Sequence, residues 1–175
     1  MDVMKYKEAI QQSMKVLEED ERIIFLGYNT QFGSQAYGTL AHTSSKKVIE
    51  TPVAENLMVG LSIGLALTGF RPIVFFERHD FLLNSFDAII NHLDKMELLA
   101  NISLPVIIRA VVGAKKPLYP GIQHTQDYSE ILKKILSFNI YEPKSPNEIL
   151  KIYEQIKTAQ GPVLVIEQKD LYDSI

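Results

Sequence analysis

The chain of 175 residues contains no cysteine and no tryptophan. Without cysteine it has neither disulfides nor thiolate metal sites, and an intracellular location is the default expectation. A formal net charge of −3 gives no electrostatic reason to bind nucleic acid or an anionic membrane. The charged N-terminus lacks the apolar core of a signal peptide, and the longest apolar stretch, 57–70, is too short to span a bilayer. We therefore expect a cytoplasmic protein without nucleic-acid or membrane partners.

Familiar nucleotide, metal and nucleophile signatures are missing as well. The sequence has no GxxxxGK[ST] loop, no GxGxxG after its first apolar run, no HExxH and no GxSxG elbow that would support a Ser-His-Asp triad. The four histidines are scattered, and a lone histidine is usually structural. His92 lies within a predicted helix and is assigned such a role. His79 and His124 differ, because both fall in loops that follow predicted strands.

Short apolar runs alternate with helical patterns along the whole chain. Strands are predicted at 22–29, 46–50, 71–77, 104–112, 138–143 and 161–168, and helices at 3–19, 53–69, 81–100, 128–136 and 145–159. This alternation predicts a single doubly wound α/β domain over 1–175, with a mostly parallel sheet and helices on both faces. Sites in such folds lie beyond the carboxyl ends of the strands, here in loops that begin near 29, 51, 77 and 113.

One helix in the pattern is unusual. The stretch VIETPVAENLMVGLSIGLALTGFRP (48–72) places a single carboxylate, Glu55, in the first turn of an almost wholly apolar helix. An acid at that position can simply complement the helix dipole. A helix that is apolar all round, however, needs cover on several sides, and Gly60 and Gly64 allow another backbone to come close. Since so small a domain offers little cover, we expect another subunit to supply it, with Glu55 at a buried junction suited to proton exchange.

These residues resemble a known family. The segment ETPVAENLMVGLSIGLALTGFRPI is similar to the TPIxExxxxGxAxGxAxxGxRP segment of thiamine-diphosphate enzymes. The strongest resemblance is to the beta subunit of the decarboxylating component of 2-oxo-acid dehydrogenase complexes, and the transketolases are also similar. The resemblance continues through FFERHDFLLNSFDAIIN, LPVIIRAVVG and GIQHTQD in the same order, and covers roughly residues 20–168.

The resemblance implies the pyrimidine-binding domain of such an enzyme. In that family the glutamate that corresponds to Glu55 hydrogen-bonds the cofactor's aminopyrimidine and so promotes removal of the thiazolium proton; the cofactor then stores the carbanion formed from the substrate. Phe81 matches the aromatic residue that stacks on the pyrimidine, although core packing explains a phenylalanine there equally well. His124 matches a histidine on the substrate side of the cofactor, which makes it a candidate acid/base or substrate-orienting group.

The chain departs from the family pattern in one segment. Where the family has MTFNF, this sequence has ERHDF, so charged residues and a histidine replace an apolar and aromatic wall. The segment Glu77–Asp80 either alters substrate choice, with Arg78 and His79 on the substrate side, or folds back as an ion pair away from the site. The lysine pair at 115–116 indicates an anionic substrate only weakly, because solvated loop lysines are commoner.

The larger departure is an absence. The family's second domain holds the diphosphate and Mg²⁺ through a Gly-Asp-Gly motif and a later asparagine, and neither this motif nor the family's C-terminal domain occurs here. The resemblance therefore implies one subunit of a split enzyme, transketolase-like or 2-oxo-acid-converting, which is active only with a separate diphosphate-binding subunit that holds the magnesium. Self-association through helix 53–69 would give a heterotetramer acting on a small anionic or sugar-like substrate. A non-catalytic scaffold or regulatory relative, and an unrelated doubly wound domain that binds a small ligand, remain as alternatives.

Overall fold

The computed structural model of the protein describes residues 4–113 and 119–174. Its strands are β1 (Ile23–Gly27), β2 (Val48–Glu50), β3 (Arg71–Phe76), β4 (Ile107–Val112), β5 (Asn139–Tyr141) and β6 (Val163–Gln168). They form one six-stranded sheet in the order β2-β1-β3-β4-β6-β5, and all neighbouring strands pair in parallel. The α/β prediction is confirmed, and the sheet is wholly rather than mostly parallel.

Helices cover both faces of the sheet, as predicted. The α-helices are α1 (Tyr6–Leu17), α2 (Glu55–Leu67), α3 (Met96–Ala100), α4 (Ser129–Ile135) and α5 (Pro146–Ile156). Successive side chains of a strand face opposite sides. Along β1, Phe25 therefore joins the core under α1 and α5, whereas Leu26 joins the core under α2 and α4. The helix α5 begins as the sequence suggests, with the Ser145 hydroxyl accepting the Glu148 N–H at 3.3 Å and Pro146 in the first turn.

The continuous helix predicted over 81–100 is wrong. The segment runs as a 3₁₀ turn (His79–Ser85), a π-helix (Asp87–Leu93) and the short helix α3. Residues three apart lie side by side in a 3₁₀ turn. This places Phe81 and Asn84 together toward solvent-accessible space, with Leu82 and Ser85 buried beneath. Tertiary packing at the end of β3 has therefore overridden the helical pattern of the sequence.

Helix α2 is only half covered. Its buried residues include Glu55, Met58 and Ser62. The exposed residues of the helix, together with Val53 just before it, include a stripe that we call the glycine stripe: Val53, Leu57, Gly60, Gly64 and Leu67. A methyl group added at either glycine would meet no atom within 4 Å in the described chain. None of the helices formed by residues 4–113 and 119–174 has the length and apolar character needed to cross a bilayer.

Candidate functional site

The strand order reverses between β1 and β3, because the chain passes from β1 to β2 on one side and returns to β3 on the other. Ligands of doubly wound folds bind in the crevice outside the carboxyl ends of the strands at such a point. Tyr28 directly follows β1, Glu77 directly follows β3, and Glu55 opens the helix that follows β2. The topology therefore assembles these three residues at the edge where a ligand is expected.

Glu55 is buried at this edge, with 7% of its surface exposed. Its Oε2 accepts one hydrogen bond, from the Asn84 side-chain amide at 3.2 Å. Within the described residues no further donor reaches the carboxylate, and Oε1 has no partner. Buried carboxylates normally have their acceptor sites filled. The Glu55 carboxylate is thus held in place from one side and left open on the other.

Glu50, five residues earlier, is a contrasting case. Its carboxylate accepts backbone N–H groups of Asn29, Thr30 and Gln31 at 2.6, 2.9 and 2.7 Å. Burial opposes the charge of Glu50, but these hydrogen bonds outweigh the burial and hold the pKa of the carboxyl group below its ordinary value. Glu50 therefore fixes the loop after β1, and Glu55 alone of the two is open to a ligand.

A wide cleft of about 540 Å³ is lined among others by Phe81, Asn84 and His124. The Phe81 and His124 rings lie edge to face with their centroids 5.4 Å apart. The same two rings also wall a smaller hollow of about 320 Å³, together with Tyr37, Glu77 and Arg78. The structure thus brings Phe81 and His124 together, and Glu55 is linked to their cleft through the hydrogen bond from Asn84.

Three polar atoms at this edge are buried without a hydrogen-bond partner in residues 4–113 and 119–174: the Tyr28 hydroxyl, the Thr51 hydroxyl and Nδ1 of His124. Burial raises the pKa of the Tyr28 hydroxyl, and the nearby charges of Glu55 and Glu77 raise it further. Sequence reasoning missed Tyr28, although its position directly after a buried strand is itself a signal. Further unpartnered buried atoms of the described residues are Nε of Arg71, Nε2 of His79 and Nη1 of Arg109, so such atoms are not confined to this edge. An orphaned buried polar group costs about 1–3 kcal/mol, and at the strand ends a polar ligand could satisfy it.

His79 of the segment Glu77–Asp80 has its Nδ1 3.7 Å from Oδ1 of Asp127, but among the described residues no ion pair joins the members of this segment to one another. Instead the Glu77 carboxylate accepts the Ser34 hydroxyl at 2.9 Å, and the Arg78 guanidinium donates to the Gly113 carbonyl at 2.8 Å while it lies over the Tyr37 ring. Arg78 lines the smaller hollow, whereas His79 is fully buried beneath it. The lysine pair at 115–116 lies outside the described residues.

The site suits a flat, nitrogen-bearing ring better than a metal ion. An open carboxylate and unpartnered hydroxyl and imidazole atoms can hydrogen-bond ring nitrogens, and an aromatic side chain offers a stacking surface. Among the described residues, no group of three or more acidic or histidine side chains could hold a metal. These features fit the aminopyrimidine half of thiamine diphosphate and provide no ligand set for its magnesium.

A wholly parallel doubly wound sheet with an open glutamate at the mouth of its second helix, beside an aromatic and histidine cleft, defines a pyrimidine-binding domain of the thiamine-diphosphate-dependent enzymes. The comparison with known families agrees. The chain belongs to the family described as "Transketolase, pyrimidine binding domain", which matches residues 2–174.

Curated relatives lie among 2-oxo-acid dehydrogenases. The chain is 28% identical over 179 residues to 2-oxoisovalerate dehydrogenase subunit beta of Bacillus subtilis. The alignment covers 98% of this chain and 54% of that protein. It is 27% identical over 173 residues to the mitochondrial pyruvate dehydrogenase E1 component subunit beta of Bos taurus, with 95% and 48% covered. The chain therefore spans about half the length of the curated relatives it matches.

A solved structure described as "Split gene transketolase, inactive beta4 tetramer" has the same fold. It matches with a TM-score of 0.76 at 18% identity, over 95% of this chain and 52% of that one. At this level of identity the likeness confirms the fold of the domain and leaves the reaction to be argued from the site.

Proposed function

We propose that this chain supplies the pyrimidine-binding half of the active site in a split thiamine-diphosphate enzyme, either transketolase-like or 2-oxo-acid-converting. The observation that carries the proposal is the Glu55 carboxylate, which is buried, tethered by Asn84 through one oxygen and open at the other. A helix-dipole role alone would not require a second residue to orient the acid. The hydrogen bond from Asn84 therefore supports a positioned proton acceptor.

The residues of this chain have separate tasks in the proposal. Glu55 holds a proton at a ring nitrogen of the aminopyrimidine, and Asn84 keeps the open oxygen directed at that nitrogen. Phe81 offers its ring face for stacking, and His124 exchanges a proton with the substrate or orients it. Thiamine diphosphate, when bound, supplies the electron sink that the reaction needs.

We propose that a separate subunit holds the diphosphate and Mg²⁺. The 175 residues contain no Gly-Asp-Gly motif, and the described part of the chain has no metal-binding group of acidic or histidine side chains. Oxygen ligands for magnesium must then come from elsewhere. Arg78 lies in the smaller hollow beside His124, which favours a small anionic or sugar-like substrate.

We further propose that two copies of the chain pack through the glycine stripe of α2, which leads to a heterotetramer with two diphosphate-binding subunits. The stripe exposes Leu57 and Leu67, each about half accessible, beside two glycines with open space above them. The structurally similar split-gene transketolase is described as a beta4 tetramer, so a protein with this fold self-associates in at least one case.

The association has a simple test. Gly64→Leu adds a side chain where two backbones would need to approach, so the dimer should dissociate about 5- to 150-fold more readily, the equivalent of about 1–3 kcal/mol for overpacking. The matched control is Lys151→Leu, which adds an exposed leucine on α5, on the opposite face of the sheet from α2. Light scattering across a dilution series measures both. Equal association of Gly64→Leu and the parent chain would contradict this interface.

The catalytic proposal is tested by Glu55→Gln in the complex with the diphosphate-binding subunit. The amide is isosteric, so folding and assembly should be nearly unchanged. Exchange of the thiazolium proton of bound thiamine diphosphate for deuterium should slow by about 10²–10⁴-fold, the usual contribution of a positioned proton-transfer group. Glu148→Gln is the control, because Glu148 is likewise a first-turn glutamate, on α5.

The two roles of Glu55 predict opposite patterns. If the glutamate only complements the helix dipole, Glu55→Gln and Glu148→Gln will both lose a little stability and neither will change proton exchange. Exchange as fast in Glu55→Gln as in the parent complex would refute the catalytic assignment and favour a scaffold role for this chain.

A further inference from the structure

Two consecutive side chains after β3, His79 and Asp80, reach across to the segment that carries His124. We call residues 119–128 the histidine loop. The residue before them, Arg78, donates from its guanidinium Nη1 to the Gly113 carbonyl at 2.8 Å. The same guanidinium lies 5.6 Å above the centre of the Tyr37 ring. Arg78 therefore ties the end of β4 to the end of β3.

His79 acts at the far end of the loop. Its Nδ1 accepts the backbone N–H of Tyr128 at 3.3 Å, and its ring packs against the Tyr128 ring with centroids 5.9 Å apart. The imidazole has none of its surface exposed. Because Nδ1 is the acceptor, the neutral ring carries its proton on Nε2, which has no partner among the described residues. Burial lowers the pKa of His79 and keeps this acceptor available.

Asp80 acts between these two points. Its Oδ1 accepts the backbone N–H of Gln126 at 3.2 Å, two residues beyond His124. The next residue, Phe81, then meets the His124 ring edge to face. Residues 78–81 thus contact the chain on both sides of His124 and the histidine ring itself.

We propose that His79 and Asp80 are positioning residues that clamp the histidine loop and thereby fix the His124 ring against Phe81. The clamp is a property of this chain by itself, and only the use of His124 rests on the proposed function. On this account the segment that departs most from the family pattern serves the loop, and its side chains affect the substrate through His124.

Paired substitutions at His79 and Asp80, one that keeps an acceptor and one that does not, separate a specific hydrogen bond from simple loss of packing. In His79→Asn the amide oxygen can replace Nδ1 as acceptor, whereas His79→Leu removes the acceptor and keeps a buried side chain. In the same way Asp80→Asn retains an oxygen for the Gln126 N–H, and Asp80→Leu does not. The control pair is His92 and Asp87, an exposed histidine and acid 3.5 Å apart on the π-helix.

Amide hydrogen exchange of the full chain, resolved by NMR, measures the clamp directly. His79→Leu should speed exchange at the Tyr128 amide about tenfold or more, the equivalent of one hydrogen bond of about 1.4 kcal/mol, and Asp80→Leu should do the same at Gln126. The asparagine variants should restore most of the protection. His92→Leu should leave both amides unchanged. If the leucine variants leave Gln126 and Tyr128 as protected as in the parent chain, or if asparagine fails to rescue, the clamp is wrong.

A pH series adds a readout that packing alone would not change. Protonation of Nδ1 removes the acceptor, so protection of the Tyr128 amide should hold above the ordinary histidine pKa of about 6.5 and fall as the pH drops toward the lowered pKa of His79. The acidic groups near His79 are Asp127, Asp80 and Glu142, which oppose the effect of burial. After correction for intrinsic exchange, the pH dependence should vanish in His79→Asn. A dependence that persists there would overturn the assignment to His79.

The same variants distinguish this inference from the proposed function. In the complex with the diphosphate-binding subunit, His79→Leu should leave thiazolium proton exchange near the parent rate, because Glu55 and Asn84 are untouched. A loosened loop with unchanged turnover would support the clamp and count against the role of His124. An intact loop in His79→Leu would refute the clamp whatever the outcome for Glu55→Gln.

Discussion

Two buried carboxylates in this molecule have opposite surroundings. Glu167 on β6 accepts from Arg109 Nε at 2.7 Å and Nη2 at 3.0 Å, and from the Tyr153 and Tyr172 hydroxyls at 2.9 and 2.7 Å. Glu55 accepts a single hydrogen bond, from a neutral amide. Both are less than a tenth exposed. The same chemical group is therefore saturated in the core and left open at the strand ends.

The difference separates a structural group from a candidate ligand group. A buried charge is tolerated when an opposite charge and further donors satisfy it, as they do around Glu167, where the facing carboxylate outweighs burial and raises the pKa of Arg109. Within the described chain the Tyr28 hydroxyl is buried without a partner, and the second Glu55 oxygen has no hydrogen-bond donor. Both groups therefore keep hydrogen-bonding capacity that a ligand could use, which the Glu167 carboxylate does not.

The largest effect on stability is expected at the Glu167 carboxylate, whose acceptor sites are filled. Arg109→Met leaves the Glu167 charge buried without its cation, so the free energy of unfolding should fall by about 3–5 kcal/mol. Urea denaturation followed by circular dichroism measures the change. Arg22→Met is the control: Arg22 pairs with Asp20 at 2.7 Å but is exposed, and loss of exposed pairs has little effect on stability. A small loss in Arg109→Met, similar to that of the control, would mean that Glu167 is not held as its contacts suggest.

The sheet and its layers could be predicted from the sequence because buried parallel strands are short, apolar and separated by helices. The segment 81–100 could not, since its helical pattern gives way to 3₁₀ and π turns that place Phe81 and Asn84 over the site. The candidate site residues Glu55, Phe81 and His124 come from the motif resemblance, and their roles stay a prediction. Their supporting residues do not come from it, because Asn84 and Tyr28 reach the site only through the tertiary fold.

The buried pair of Arg109 and Glu167 shows the same limit. Each is a single charge within an apolar strand, in LPVIIRAVV and GPVLVIEQ, and that oddity was visible in the sequence. The pairing depends on strand order and register, since β4 lies beside β6 with Arg109 opposite Val165. Sequence patterns predict which segments form strands and which of their side chains are buried. They do not predict which residues of two strands meet, because that depends on strand order and register.

The smallest effect is expected on the open side, at Tyr28. Its hydroxyl is buried and has no hydrogen-bond partner in residues 4–113 and 119–174, so Tyr28→Phe removes a polar group that contributes nothing to the folded chain. The free energy of unfolding should stay unchanged or rise by up to about 1 kcal/mol. The matched variant is Tyr153→Phe, which takes a donor from the Glu167 carboxylate and should cost about 1.5–3 kcal/mol. Both are read from the same urea denaturation curves.

Tyr28→Phe and Tyr153→Phe test the comparison between the edge around Glu55 and the surroundings of Glu167, because the two variants delete the same atom from the same kind of residue. If Tyr28→Phe costs as much as Tyr153→Phe, the Tyr28 hydroxyl has a partner in the free chain, and the edge around Glu55 is not open. If Tyr28→Phe is neutral in the free chain but weakens thiamine-diphosphate binding in the complex, the hydroxyl has its partner only when the ligand is present. Ligand binding then removes the free-energy cost of the unpaired hydroxyl, and this gain adds to the affinity for the ligand.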